Sequence, residues 1–274
     1  MLQAASAIRP KNTPQMAGRD SAGLFFKGKH APTVAKQRML RQLVCSDAPE
    51  QALRYQGFKC IAGVDEVGRG ALFGCVVAAA VILPDSAKTM RALARAGLKD
   101  SKQLLRGDRE RLEKKVRQVA LGVSIAEVDA ETIDRVNIYQ ASRMAMLLAV
   151  QGLALQPDHL LIDAMHIDHP CAQTRLFYGD SLSLSIAAAS VVAKVYRDEL
   201  MRQFDAVHPQ YGLAAHKGYA TPQHKKALTE FGPTPLHRRS FAPVRLVDPD
   251  AALESEAGLL FDDDFMEEAR CQPD

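Results

Sequence analysis

The sequence predicts a mixed-sheet α/β layer fold, and three patterns in it carry that prediction. Two apolar runs, 60–65 and 75–83, stand either side of a glycine-rich turn, as a hairpin of buried strands does. Strand-like and helix-like periods then alternate from 108 to 163. A long helical stretch, 183–205, carries a face of small residues, Ala187, Ala188, Ala189 and Ala193, which permits close packing.

Each element has its own signal. Met39, Leu40, Leu43 and Leu53 give 34–55 a helical spacing that breaks near Asp47-Ala-Pro49. After the two strands comes a helix at 108–120, a strand at 122–128, and a helix at 137–151 whose start is marked by Asn137, a favoured capping residue. His159-Leu-Leu-Ile-Asp163 reads as a short buried strand ending in an acid. Pro222 sits in the first turn of a helix from Thr221 to Phe231.

With 274 residues, 47% hydrophobic and 24% charged, the chain has the makeup of a soluble globular protein with one large domain or two small ones. No apolar run reaches the roughly 18 residues that span a bilayer. Five scattered cysteines without a Cys-x-x-Cys pair argue against a disulfide framework or zinc site, and fit a reducing, cytoplasmic compartment.

The net charge of +3 hides two opposed tails. Arg9, Lys11, Arg19, Lys27, Lys29, Lys36, Arg38 and Arg41 face a single acid, Asp20, near the start, while the residues from Asp248 onward are almost all acidic where charged. Residues 1–33 read as a disordered basic extension; without an amphipathic arginine-rich helix they do not fit an organellar transit peptide. Residues 247–274 read as a disordered acidic tail, and 34–246 as the folded part, its last portion from about 205 helical. The folded part is modestly basic, compatible with a polyanion without requiring one.

Four acids stand at strand or loop ends: Asp65, Glu66, Asp163 and Asp180. Any one of them has a bland reading as a turn or cap residue, Asp180 as the cap of its helix. Together they form a hard oxygen set of the kind that Mg²⁺ or Mn²⁺ prefers, and two such ions are able to activate water and stabilise a leaving oxygen. The arginine of Gly68-Arg69-Gly70 suggests an anion approaching the backbone closely.

Six segments in order resemble the ribonuclease HII family: Gly63-Val-Asp-Glu-Val-Gly-Arg-Gly70, Leu98-Lys-Asp-Ser-Lys-Gln-Leu104, Leu161-Ile-Asp163, Gly179-Asp-Ser181 with Ser185–Lys194, His216-Lys-Gly-Tyr219, and Gly232–Phe241. The resemblance runs from about residue 58 to 242. It implies a ribonuclease-H-like mixed sheet flanked by helices with a C-terminal helical part. The implied activity is metal-dependent cleavage of RNA in RNA–DNA hybrids and of single ribonucleotides embedded in duplex DNA.

By motif, Asp65, Glu66, Asp163 and Asp180 are implied as catalytic metal ligands for Mn²⁺ or Mg²⁺, Asp65 bridging two ions. Gly68, Arg69 and Gly70 are implied to meet the ribose 2′-hydroxyl and neighbouring phosphate, and Tyr219 the following deoxyribose. Lys102, Lys194, Lys217 and Arg239 are candidate phosphate contacts, and His216 and His237 candidate proton shuttles.

Two positions depart from the family pattern. Cys75 stands where proline is usual, which frees the backbone and offers an oxidisable thiol, and Ala164 stands where glycine is frequent. The expected function is hydrolysis on the 5′ side of a ribonucleotide, leaving 3′-hydroxyl and 5′-phosphate ends, by a monomer. Two competing readings are a serine hydrolase built on Ser190 and Lys194, four apart on one helix face, and a non-catalytic hybrid-binding module.

Overall fold

A computed structural model describes residues 43–248. The expected basic extension, the 34–42 part of the first helical segment, and 249–274 of the acidic tail lie outside the described residues.

A five-stranded mixed sheet organises the chain, in the order β3-β2-β1-β4-β5. β1 (Ile61–Val67) and β2 (Val76–Ile82) form the expected hairpin, and β3 (Gly122–Val128) adds antiparallel to β2. β4 (His159–Asp163) lies parallel to β1, and β5 (Ala172–Leu176) parallel to β4. β1 and β2 are interior strands covered on both faces, which is why they read as near-continuous apolar runs instead of alternating.

Two helical layers cover the sheet. α1 (Ala48–Tyr55) precedes β1; α2 (Ala87–Arg95) and α3 (Arg106–Val119) lie between β2 and β3. α4 (Ala130–Gln151) connects β3 to β4 and packs Ala141, Ala145, Met146 and Ala149 among Val64, Val76, Ala78 and Ile162. On the opposite face α5 (Leu184–Val207) packs Ala187, Ala188, Ala189 and Ala193 with Val77, Ala79 and Val81, helped by Met90 and Leu112. The small-residue face brings α5 against β1 so closely that a Cβ at Gly63 would overlap the Ser185 backbone.

α6 (Leu213–His216), α7 (Pro222–Phe231) and α8 (Ala242–Arg245) form the C-terminal helical part. Their core is Tyr211, Leu213, Leu228 and Val244, set around Leu72 and Phe73 from the turn after β1.

Three elements differ from expectation. α4 begins at Ala130, capped by Asp129, and Asn137 interrupts it at φ 68 while its side chain accepts from the Tyr139 and Gln140 amides. Asn137 thus caps the second stretch, as its residue type predicts. α2, capped by Ser86 through the Thr89 amide and burying Met90 and Leu93, is an amphipathic helix the sequence reading passed over, while the polar edge strand β5 carries too little apolar periodicity to be read from sequence.

Candidate active site

Asp65 and Asp163 lie one step beyond the Val64–Ile162 pair where β1 and β4 run in parallel. The fold therefore brings two acids 98 positions apart in the chain to one end of one seam. Asp163 Oδ1 accepts from the Gly179 amide at 2.8 Å, drawing in the 3₁₀ turn Gly179–Ser181 that carries Asp180. Asp180 does not cap the long helix: Ser183 does, through the Ile186 amide. Glu66 follows Asp65, whose Oδ1 accepts the Glu66 amide at 2.8 Å.

Burial raises all four carboxyls above their ordinary range. Asp65 is 3% exposed, and after burial the charges of Glu66, Asp163 and Asp180 push it further up. Burial lifts Glu66 to about 7 against the pull of Arg69, and Asp180 to about 6 against Lys102. Asp163 is raised by burial, with the Gly179 amide opposing.

The nearby cations are few. Lys102 Nζ reaches Asp180 Oδ2 at 3.3 Å, and Arg69 Nη1 reaches Glu66 Oε1 at 3.4 Å. Burial works against the Lys102 ammonium, but Asp180, Asp65 and Asp100 hold it above its usual value. Glu66 Oε2 is buried without a hydrogen-bond partner.

An acid cluster this short of positive charge suits a divalent cation. Among the described residues no three such side chains already close on one point. A hard ion here would complete its shell with water and substrate oxygens, as Mg²⁺ commonly does.

Next to the acids is a hollow of about 380 Å³ lined by Glu66, Val67, Ser101, Lys102, Arg109, Ser190, Lys194 and Tyr219. A larger hollow, about 570 Å³ and lined by Asp134, His237 and Arg239 among others, holds none of the four acids. The Gly68-Arg69-Gly70 turn and Tyr219 belong to one structure: Ala71 and Tyr219 form an antiparallel bridge, and the Leu72 amide donates to the Gly218 carbonyl at 2.7 Å.

The chain belongs to the ribonuclease HII family. The ribonuclease HII family model matches residues 62–244. The ribonuclease HII of Koribacter versatilis is 51% identical over 248 residues, covering 90% of this chain and 92% of that protein. The ribonuclease HII of Solibacter usitatus is 55% identical over 201 residues, covering 73% and 86%.

The fold is also that of the Pyrococcus horikoshii ribonuclease H2 crystal structure (TM-score 0.61, 24% identity, 70% of this chain and 99% of that one). Bst-RNase HIII in complex with Mn²⁺ is similar at TM-score 0.55 and 22% identity, over 77% of this chain and 72% of that one. Membership in the ribonuclease HII family makes the protein a metal-dependent endoribonuclease of the ribonuclease H type, acting on RNA–DNA hybrids. Among the described residues no helix is long and apolar enough to cross a membrane.

The remaining expected residues divide. Lys102 stands at the acids; Lys194 lines the hollow but its ammonium is engaged by Asp198. Lys217 turns its ammonium to the Ala214 carbonyl, and the Arg239 guanidinium pairs with Asp248 at 3.4 Å. His216 bonds to the Tyr211 carbonyl and stacks on His224, while His237 meets His224 at 3.1 Å, Nε2 to Nε2. Both rings pack the C-terminal part and stand apart from the carboxylates.

The serine–lysine dyad is not formed. Ser190 Oγ pairs with Ser101 Oγ at 2.9 Å, and Lys194 is taken by Asp198. Cys75 also departs from expectation. Its thiol donates to Glu127 at 3.1 Å and is pushed up to about 12 by burial and then Glu127, the opposite of a reactive thiolate. Its carbonyl is held by Arg197 at 3.1 Å, so the backbone there is not free. Ala164 occupies φ 51, the left-handed conformation that glycine adopts without strain.

Sequence reasoning missed two buried arginines, Arg197 and Arg238, both 0% exposed. For Arg197 a signal existed: it continues the stripe Ile186, Ser190, Ala193 at helical spacing, ahead of Met201, and all of these are buried. Arg238, one of an Arg-Arg pair in a loop, offered none.

Proposed function

We propose that this ribonuclease HII nicks the 5′ side of single ribonucleotides embedded in duplex DNA as well as RNA–DNA hybrids, leaving 3′-hydroxyl and 5′-phosphate ends. The observation that carries the reading is the joining of the Gly68–Gly70 turn to Tyr219, directly after the acid-bearing strand. Recognition of a lone ribonucleotide needs a 2′-hydroxyl sensor and a neighbour sensor held in fixed relation, beside the cutting groups.

Asp65, Glu66, Asp163 and Asp180 would hold Mn²⁺ or Mg²⁺. Bound divalent ions supply activated water and charge neutralisation at the departing 3′-oxygen. The chain's own groups do the rest. The carboxylates orient the attack, Lys102 offsets their charge, and the Arg69 and Gly70 amides offer donors to oxygen. The Tyr219 ring packs against the deoxyribose that follows. A pure binding module gains nothing from desolvated carboxylates facing phosphate, which disfavours that alternative.

The cytoplasm and a monomeric state complete the proposal; gel filtration with light scattering checks the second. The deciding experiment maps cleavage of a duplex with one ribonucleotide and of a uniform hybrid, with Mn²⁺, Mg²⁺ or EDTA. Cutting 5′ of the lone ribonucleotide, silenced by EDTA, is expected. Cleavage of the hybrid alone would remove the finer reading, and binding without scission would favour the module.

A further inference from the structure

Beneath the Gly68–Gly70 turn lie two guanidinium groups that none of the described carboxylates pairs with in a salt bridge. Their partners are backbone carbonyls. Arg197 donates to the carbonyls of Phe73 (3.0 Å), Cys75 (3.1 Å) and Lys217 (2.9 Å). Arg238 donates to those of Gly74 (2.9 Å) and Arg69 (3.0 Å). The Arg197 guanidinium also lies 5.8 Å from the centroid of the Tyr219 ring, within cation–π range. A Cβ at Gly68 would fall on that same guanidinium, 2.8 Å from its central carbon.

Arg197 therefore touches Gly68, the segment after the turn, the residue two before Tyr219, and the Tyr219 ring. Arg238 draws the Arg69 carbonyl inward, while the exposed Arg69 and Gly70 amides meet no acceptor among the described residues. One arginine fixes the distance between the two recognition elements; the other fixes which way the turn presents its donors.

A buried, unpaired cation is costly, and an apolar side chain would fill the same volume at less cost. What an apolar side chain lacks is a planar fork able to collect three carbonyls from two segments at once. Lysine lacks it too, being a point charge without the fork.

We propose that Arg197 and Arg238 are positioning residues, Arg197 setting the spacing between the Gly68–Gly70 turn and Tyr219 and Arg238 the orientation of the turn toward it, and that together they set the preference for a lone ribonucleotide over a uniform hybrid. The inference rests on the proposed function above. In a uniform hybrid every sugar of the cut strand carries a 2′-hydroxyl, so the deoxyribose that Tyr219 would meet is absent and the spacing matters less. At a lone ribonucleotide both elements must be met together.

The test uses the full chain with Mn²⁺ and compares kcat/KM on the two substrates for wild type, Arg197→Lys and Arg238→Lys. Asp158→Ala serves as the stability control; its carboxylate holds the Lys59 and Cys60 amides at the start of β1, away from the turn. Each arginine variant is expected to lose at least about tenfold more on the lone-ribonucleotide duplex than on the hybrid, while Asp158→Ala lowers the melting temperature and leaves the ratio unchanged. Equal losses on both substrates, or an unchanged ratio, would overturn the inference. If Arg197→Lys fails to fold, the ratio for Arg238→Lys decides alone. Wild type that cuts the hybrid and ignores the lone ribonucleotide removes the functional reading and the inference with it.

Discussion

Gly63→Ala is the sharpest steric test of how the site is built. Gly63 lies in β1 two residues before Asp65, and it faces the first turn of α5, which begins four residues after Asp180. The added methyl would overlap the Ser185 carbonyl and lie 2.5 Å from the Ile186 nitrogen, all backbone atoms unable to rotate away. Comfortable carbon contacts need ~3.5–4.0 Å, so strand and helix must part by on the order of 1 Å, forfeiting a quarter or more of each dispersion contact along the seam.

Overpacking of this kind costs about 3 kcal/mol, here with no flexible side chain to absorb it. For a domain of this size that is about 6–12 °C in melting temperature. Because the chain has no tryptophan, urea unfolding is best followed by far-ultraviolet circular dichroism. Gly107→Ala is the control. It has nothing within 4 Å and lies in the first turn of α3, so the same methyl should stabilise by about 0.5 kcal/mol. A Gly63→Ala loss below about 1 kcal/mol, with cleavage intact, would refute the reading that α5 approaches β1 too closely to admit a side chain at Gly63.

Three further outcomes are expected. Asp65→Asn should abolish cleavage yet raise the melting temperature of the EDTA-treated protein at about pH 8, by a few degrees. The folded-state value of Asp65 is raised, so its contribution to stability is lost as pH rises and its cost is full at alkaline pH; an unchanged or lower melting temperature contradicts this.

Burial first, with neighbouring histidines adding to it and backbone hydrogen bonds opposing, leaves His224 at about 4 and His237 at about 3, below 6.5. The unfolded chain then binds more protons beneath 6.5, so their contribution is present above that pH and lost as pH falls. The stability gap between wild type and His237→Asn should narrow by ~2 kcal/mol between about pH 7.5 and 5, a comparison in which the opposing titration of the acids cancels. A constant gap in urea titrations would show that the ring is not held neutral. Ala164→Gly, which relieves the residue at φ 51, should stabilise by about 0.5 kcal/mol once glycine's entropy cost is subtracted from a left-handed penalty of ~1–2 kcal/mol; a thermal melt showing destabilisation would contradict it.

The sequence made legible what burial and chemistry constrain most. Strands 76–82 and 159–163 stand out because both faces are buried: 76–82 is apolar throughout, and Leu160, Leu161 and Ile162 are apolar between His159 and the closing Asp163. Ala172-Gln-Thr-Arg-Leu176 does not, because an edge strand held by main-chain bonds to β4 needs no apolar face. The acids were legible as residues but not as a cluster. Their meeting depends on the parallel register of β1 and β4 and on the Gly179 amide reaching Asp163, neither of which leaves a mark on spacing. The lysines show the reverse failure: Lys217 lies in a motif, yet its ammonium turns to the Ala214 carbonyl. Arg197 and Arg238 bond to carbonyls, which every residue possesses, so their partners are invisible in a string of side chains.

The parallel seam between β1 and β4 also bears on the order in which the chain is built. β1 and β2 are neighbours in sequence and close as a hairpin, whereas β3 and α4 stand in the chain between that hairpin and β4, the strand that pairs parallel to β1. Pairings of such long range form late in folding. Asp65 and Asp163 therefore meet through a long-range pairing, and the α5 layer that covers β1 and β2 lies further along the chain still. A chain ending before Asp180 would lack the fourth acid and the whole of α5, so the carboxylate set and one face of the core are completed together.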